Sequence, residues 1–444
     1  MATTYLTRTP SSSSNRKTWT WSAWIKLGAL GTDRNLFGAY AHSSDNFKIN
    51  IADTDTVSMR FYNGTEYQLG LNRKFRDTSA WYHLVFAVDT TLASGGDRFK
   101  IYVNGIRETS FAAANDPTLD LQMTINDTTA TQIGRFNTGS YFDGYMNNVA
   151  FVDGTALTPT SFGETDSASG IWKFKTPSGV TWGTNGFHLK MDNSANLGLD
   201  SSGETNNFTL SGNGRQAKDT PTNVYATLNP LDNFYSASTF ANGNTSQTSN
   251  ASNYGWVVST LGITSGKFYA ECKQTGFSGG SNYNLIGVAS YQNTTTAQFL
   301  GESAGNASYY AQGEIYNGNG TDIGSMPTYT TNDIIGVAVD LDNNFIYWHK
   351  NGVYINSGVP TSGGTGTGGL ALTASSSTSL GAYFFGSGDY GNTVIVNNSW
   401  NFGNGYFGTT AITSAGSNGN GSLFEYDVPS GYYALNTKNI NTYG

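Results

Sequence analysis

Cysteine occurs once in 444 residues, at Cys272, which excludes an intramolecular disulfide and leaves packing and sheet pairing to hold the fold. Charge is scarce as well: Asp, Glu, Lys and Arg make up 12 % of the chain, with a net charge of -8. No cluster of Lys and Arg is present to displace counterions from phosphates, so nucleic acid is not an expected partner. No window approaches the roughly 18 apolar residues of a membrane span, and the opening "MATTYLTRTPSSSSNRK" lacks the apolar stretch of a secretory signal. Neither membrane insertion nor export is therefore expected. Stretches rich in Ala, Glu, Lys and Leu are missing too, which leaves little material for helices.

What the chain has instead is aromatic residues, at 14 %, and 55 glycines, the composition of short strands joined by many turns. "KTWTWSAWIK" sets Trp19, Trp21 and Ala23 on one face against Thr18, Thr20, Ser22 and Trp24 on the other, and this alternation predicts a half-buried strand. "WYHLVFAVD" is denser in apolar residues and suits a central strand covered on both sides. "FKIYVNG" and "IYWHKNG" both end in Asn-Gly, the pair that a type I′ hairpin turn favours because both central residues need positive φ. In "GKFYAECKQTG" the alternation puts Cys272 beside Phe268 and Ala270, which predicts a buried, inert thiol. A chain of 444 residues exceeds the usual domain of roughly 100 to 200. The fold class is all-β, in two β-sandwiches.

The segments "TWSAWIK", "WYHLVFAVD", "FKIYVNGI" and "YFDGYMNNVAFVDGTALTP" resemble, in order and spacing, the laminin-G-like, concanavalin-A-like jelly roll, with Phe142, Gly144, Val149 and Leu157 in its closing pattern. The series "GKFYAE", "IGVA", "DIIGVAVDLDNNFIYWHKNG" and "WNFG" resembles the SPRY domain, a different sandwich, with Trp348 as the inward aromatic before the turn. "DTPTNVYATLNP" and the closing "VPSGYYALNT" resemble segments of structural and tail-associated proteins of tailed phages, marine ones in particular. The implied organisation is a jelly roll over 1–218, a linker over 219–233 between Pro221 and Pro230, a SPRY-like sandwich from Phe234 over 234–408, and a tail segment over 409–444.

Motifs for catalysis do not assemble. "GESAG" (301–305) has the form of a nucleophile elbow, yet it lies in strand-and-loop sequence without the helix that strains such a serine. His42, His83, His188 and His349 show no paired metal-ligand spacing, and the acid-x-acid-x-acid run of jelly-roll glucanases is absent. "DLDNN" (340–344) half-matches a calcium loop without its glycine or its distal Glu, and reads as a turn; calcium is the alternative there, no ligand set is assigned, and no other cofactor is expected. "SGGTGTGG" (362–369) lacks the Lys-Ser/Thr of a phosphate loop and reads as a flexible loop.

Binding remains. Sugars are recognised by rings that cover their CH faces and by amides and hydroxyls alongside, and Tyr62, Tyr67, Tyr141, Tyr309 and Tyr310 sit in or beside polar stretches, as candidate ligand contacts. The SPRY resemblance implies peptide or protein contact through loops at 278–284 and 303–312. The expected function is that of a non-enzymatic virion protein of a tailed phage: a tail fibre, tail-tip component or capsid decoration, assembled as a homo-oligomer with other virion proteins and attaching to host-surface glycan. A polysaccharide depolymerase and a purely architectural cement protein are the alternatives.

Overall fold

The computed structural model describes residues 3–232, 237–251, 254–291, 298–318, 322–391 and 393–444; the expected start of the second domain at Phe234 lies outside them. Strand accounts for 41 % of the chain and helix for 6 %. Two compact units are present, one formed by residues 1–216 with 220–222, the other by 217–219 with 223–444. Among the described residues no helix is long and apolar enough to cross a membrane.

In the first unit an eight-stranded sheet faces a six-stranded one. The larger runs Phe111–Asn115, Glu66–Lys74, Thr56–Tyr62, Asp45–Ile51, Arg34–His42, Thr131–Ile133, Tyr5–Arg8, Thr209–Ser211. The smaller runs Phe187–Leu189, Gly144–Asp153, Thr18–Leu27, Tyr82–Asp89, Phe99–Val103, Ile106–Arg107. Period-2 alternation sends Trp19, Trp21, Ala23 and Ile25 inward to meet Phe37, Phe47, Ile49 and Met59 of the opposite sheet. Trp21 stacks on Phe37 at 5.7 Å, and Trp19 meets Phe47 edge to face at 5.3 Å. Each such side chain contributes about 1.5–3 kcal/mol by leaving water.

The outer face of Thr18–Leu27 departs from expectation. Thr20, Ser22 and Trp24 are also buried, so the strand is covered on both sides instead of half-buried. The cover comes from later chain: Phe162 packs on Val85, Ala150 and Val152, with Leu157, Val180 and Trp182 beside them. Trp172 crosses the hairpin turn at Asn104 and Gly105, whose φ values of 48° and 82° are those of a type I′ turn. A Cβ on Gly105 would lie 2.6 Å from the Trp172 ring, so only glycine admits the ring there. The Trp172 indole N–H donates to Nδ1 of His83 at 3.0 Å, which leaves Nε2–H of His83 to donate to Ser22 Oγ at 2.9 Å. Burial holds His83 neutral and pushes its pKa down to about 3.

The second unit repeats the physics with different topology. Its larger sheet runs Thr239–Ala241, Ser246–Thr248, Ile395–Asn401, Lys267–Ser278, Ile334–Asp340, Phe345–Lys350, Val353–Tyr354, with Leu370–Ala371 and Tyr433–Ala434 attached beside this path. The other runs Trp256–Val258, Phe384–Asp389, Asn284–Ala289, Ala307–Tyr310, Glu314–Tyr316, Asp322–Ile323. Phe268, Ala270 and Cys272 share the core with Ile335, Val337, Val339 and Trp348, as their alternation predicts. Burial pushes the Cys272 thiol pKa well up, which keeps it protonated. The turn at Asn351 and Gly352 has φ values of 49° and 85°, and Tyr426 lies across the glycine, 2.7 Å from where a Cβ would stand.

Beneath that ring Gly352 N–H donates to His349 Nδ1 at 3.1 Å, and His349 Nε2–H donates to the Tyr269 hydroxyl at 2.7 Å. Tyr269 donates in turn to Glu271, which also accepts the backbone N–H groups of Glu425 and Tyr426 at 2.8 and 2.9 Å. Burial pushes the Glu271 carboxyl up to about 7. The segment 409–444 is thereby tied into the unit, and Leu435 sits in its core together with Ala226 and Leu228 from the stretch between the two prolines. The glycine-rich loop at 362–369 is built in as well: a Cβ at Gly366 or Gly369 would meet the rings of Phe345 or Tyr347.

Replacing Gly105 or Gly352 by Ala should lower the stability of its unit by about 1–3 kcal/mol in urea denaturation, through strain and a displaced ring. Gly64→Ala, at φ 94° with open space around it, isolates the backbone effect and should cost about 1 kcal/mol. His83 and His349 have folded pKa values of about 3 against a usual 6.5, so folding favours the neutral rings. Their stabilisation is complete above pH 6.5 and shrinks as the pH falls toward 3, by up to about 1.4 kcal/mol per unit for each ring. Nitrogen-15 spectra should show both rings neutral at pH 5; protonation of either near pH 6 would contradict its burial.

Candidate ligand-binding face

The solvent-facing side of the eight-stranded sheet in the first unit collects polar side chains in rows. Because Phe47, Ile49, Met59 and Phe61 point into the core, their neighbours take the outer side, with Lys48, Arg60 and Tyr62 half-exposed and Asn46, Asn50 and Ser58 buried among them. Strand register places Gln132, Gly38, Lys48, Arg60 and Gln68 side by side in one row. Tyr40, Asn46, Tyr62 and Glu66 form the next.

Phe136 occupies the gap that Gly38 leaves, with its ring edge 3.3 Å from where a Cβ would stand. Tyr40 meets the Phe136 ring edge to face at 5.5 Å, and Lys48 Nζ lies 5.7 Å from its centroid. Arg60 lies 5.3 Å over the Tyr62 ring. The result is a set of half-exposed rings interleaved with amide, ammonium and guanidinium donors.

The charges on this face are already paired. Asp33 accepts from Asn50 at 2.5 Å and Ser140 at 2.8 Å, with Lys48 at 3.8 Å, and Glu66 holds Arg60 at 2.5 Å. Exposed pairs of this kind are worth about 0–1 kcal/mol each, so their effect is to fix side-chain orientation more than to stabilise the fold. Toward the edge strand, Arg135 lies 3.4 Å over the Tyr5 ring and 6.0 Å from that of Tyr141. Asn35, fully buried, donates to the Arg135 carbonyl at 2.8 Å.

The five tyrosines singled out from sequence go to different places. Tyr62 stands on this face, and Tyr141 is half-exposed beside Tyr5 and Arg135. Tyr67 turns the other way and stacks on Phe61 at the margin of the core. Tyr309 is 0 % exposed inside the second sandwich, its hydroxyl donating to the Pro327 carbonyl. Tyr310, 5 % exposed, packs among Tyr283, Tyr316 and Tyr390. Burial takes these last two rings out of reach of a surface ligand; adjacent residues of the strand Ala307–Tyr310 must point to opposite sides, and both sides are covered. Phe136, Tyr40 and Tyr5 have no distinguishing sequence signal, because contacts distant in sequence bring Tyr40 to Phe136 and Tyr5 to Arg135 and Tyr141.

The remaining motifs are occupied structurally. Ser303 of "GESAG" donates to Gln298 at 2.7 Å from a turn. In "DLDNN", Asp340 binds Lys267 at 2.9 Å and Asn343, while Asp342 accepts from Gly266 N–H at 2.9 Å. Among the described residues no group of three or more His, Cys, Asp or Glu is gathered as a metal site would need.

Residues 2–161 match the family model described as the Concanavalin A-like lectin/glucanases superfamily. No curated protein matches the chain. Solved structures similar to it include the SPRY domain of human HERC1, at 16 % identity over 39 % of this chain and 96 % of that one, with a TM-score of 0.30. Another is domain 4 of AbnA, a GH43 extracellular arabinanase from Geobacillus stearothermophilus in complex with arabinotriose, at 20 % identity over 33 % of this chain and 65 % of that one, TM-score 0.27. A third is a heptameric SAP-like pentraxin from Limulus polyphemus, at 16 % identity over 35 % and 71 %, TM-score 0.27.

Tyr309→Ala should lower stability by about 3–5 kcal/mol through the cavity it leaves. Tyr62→Ala, at a half-exposed position, should change it by less than about 1 kcal/mol. Chemical denaturation of the two variants checks both values.

Proposed function

We propose that the first sandwich is a glycan-binding module that uses the face around Phe136, in a non-enzymatic protein that attaches a tailed-phage virion to its host. The observation that carries the binding reading is the Phe136 ring seated over Gly38 between Tyr40 and Lys48, with Arg60, Gln68 and Gln132 in the adjoining row. A ring offers its face to sugar CH groups while the neighbouring donors engage hydroxyls. The superfamily matched by residues 2–161 is described by lectins and glucanases together, which supports a carbohydrate as the ligand class. Hydrolysis is disfavoured because Asp33 and Glu66 are each held by a cation, whereas a glycosidase needs one free carboxylic acid and one free carboxylate about 5–10 Å apart.

The phage setting rests on the resemblance of "DTPTNVYATLNP" and "VPSGYYALNT" to tail-associated proteins. In that setting the second sandwich makes protein contacts within a homo-oligomeric virion component, and the first faces the host.

On a glycan array the full chain should bind a limited set of glycans, and Phe136→Ala should weaken that binding by about tenfold or more while leaving the melting temperature unchanged. If the protein binds no glycan and labelled host cells also remain unbound, the attachment reading fails. Release of reducing ends from host capsule or lipopolysaccharide would replace it with depolymerisation.

A further inference from the structure

We infer that the other side of the first sandwich, outside its six-stranded sheet, carries a second, cleft-type site for a neutral sugar ring. A cleft of about 290 Å³ opens there, lined by Asn147, Asn148, Phe174, Thr176, Lys190 and Asp192 and closed by residues 220–222, all belonging to the first unit. It is distinct from the Phe136 face, since the two lie on different sheets.

Three features make this cleft more than a surface irregularity. The strand Gly144–Asp153 loses register with Thr18–Leu27 between Asn147 and Ala150, and Asn148 adopts a φ of 50°. Such a bulge redirects side chains, and here two consecutive amides come to line the cleft. Next, the Asn148 amide is oriented from behind: its oxygen lies 3.0 Å from Nε2 of buried His188, whose ring stacks on Trp182 at 5.6 Å. Burial lowers the His188 pKa to about 4, so near neutral pH the ring is uncharged and donates from Nε2. The Asn148 amide N–H then donates to the Asn147 oxygen, which orders the pair.

Finally, the lining sets the ligand chemistry. Lys190 and Asp192 bring opposite charges to one small space, so the cleft selects neither an anion nor a cation. Phe174 supplies an apolar face, while the amides, the hydroxyl of Thr176 and the charged pair supply donors and acceptors. An uncharged ligand with an apolar face and a hydroxylated rim is a sugar ring. The cleft lies near the lower end of small-ligand cavities, about 300–1,000 Å³, which suits a mono- or disaccharide unit.

Saturation-transfer NMR on the full chain carrying Phe136→Ala, which silences the sheet face, with maltose, cellobiose, lactose and arabinobiose as probes tests the site. At least one probe should receive transfer, and Phe174→Leu, which keeps apolar packing but removes the ring, should weaken it by about tenfold. Lys190→Gln, at a half-exposed position, should also weaken it in that background. Absence of transfer from every probe, or transfer that survives Phe174→Leu, overturns the cleft site. Glycan-array binding that depends on Phe136 is read separately, so either site can fail while the other stands.

Discussion

The structure of the first unit turns on Trp172 lying across Gly105. That ring closes the outer layer over the six-stranded sheet, and its indole N–H decides which nitrogen of His83 carries the proton. With the layer in place, Ser22, His83, Val85 and Ala150 lose contact with water, so each must be apolar or internally hydrogen-bonded. One sheet of the sandwich is therefore committed to packing on both sides. The eight-stranded sheet keeps its polar outward rows. The cleft at Asn147 forms where the covering layer and the strand beneath it part company, at a bulge.

The second unit reaches a comparable arrangement by a different route. Tyr426 lies on Gly352 as Trp172 lies on Gly105, and a neutral histidine sits below each ring. Strand order and partners differ: His83 ends in a serine hydroxyl, whereas His349 feeds a tyrosine and a buried carboxyl that grips two backbone amides. A type I′ turn presents a bare Cα at a hairpin end, where a crossing ring finds room. Shared turn chemistry is sufficient to produce the similarity, and no common ancestry of the two units is needed to explain it.

How much of this could be read from sequence follows from the range of the interactions. Alternation in "KTWTWSAWIK" assigns the inner face correctly because period 2 is local, but it cannot show that residues 157–182 return to cover the other face. The Asn-Gly turns are legible from two residues, and the rings upon them are not, since Trp172 lies 67 positions beyond Gly105 and Tyr426 lies 74 beyond Gly352. The same limit governs the site. Tyr62 is recognisable beside its polar turn, but Phe136 lies on the sheet face only because Gly38, almost a hundred positions earlier, leaves it a seat. Tyr309 and Tyr310 have polar neighbours in sequence and buried ones in space.

A fold without disulfides also has to keep its strands from slipping, and the second sandwich does this with buried amides. Asn284 and Asn398 exchange hydrogen bonds at 2.7 and 2.9 Å, and Gln274 and Asn282 at 2.7 and 3.0 Å. Gln247 accepts from Ser387, whose hydroxyl accepts from the Trp400 indole. A shift of one residue would turn every side chain to the opposite face and strand these groups unpaired in the interior. Each orphaned group would cost about 1–3 kcal/mol, whereas an apolar core tolerates small rearrangements more easily. Matched amides thus penalise alternative registers more than they stabilise the native one. An Asn-rich, cysteine-poor chain can hold the register of a sandwich in this way.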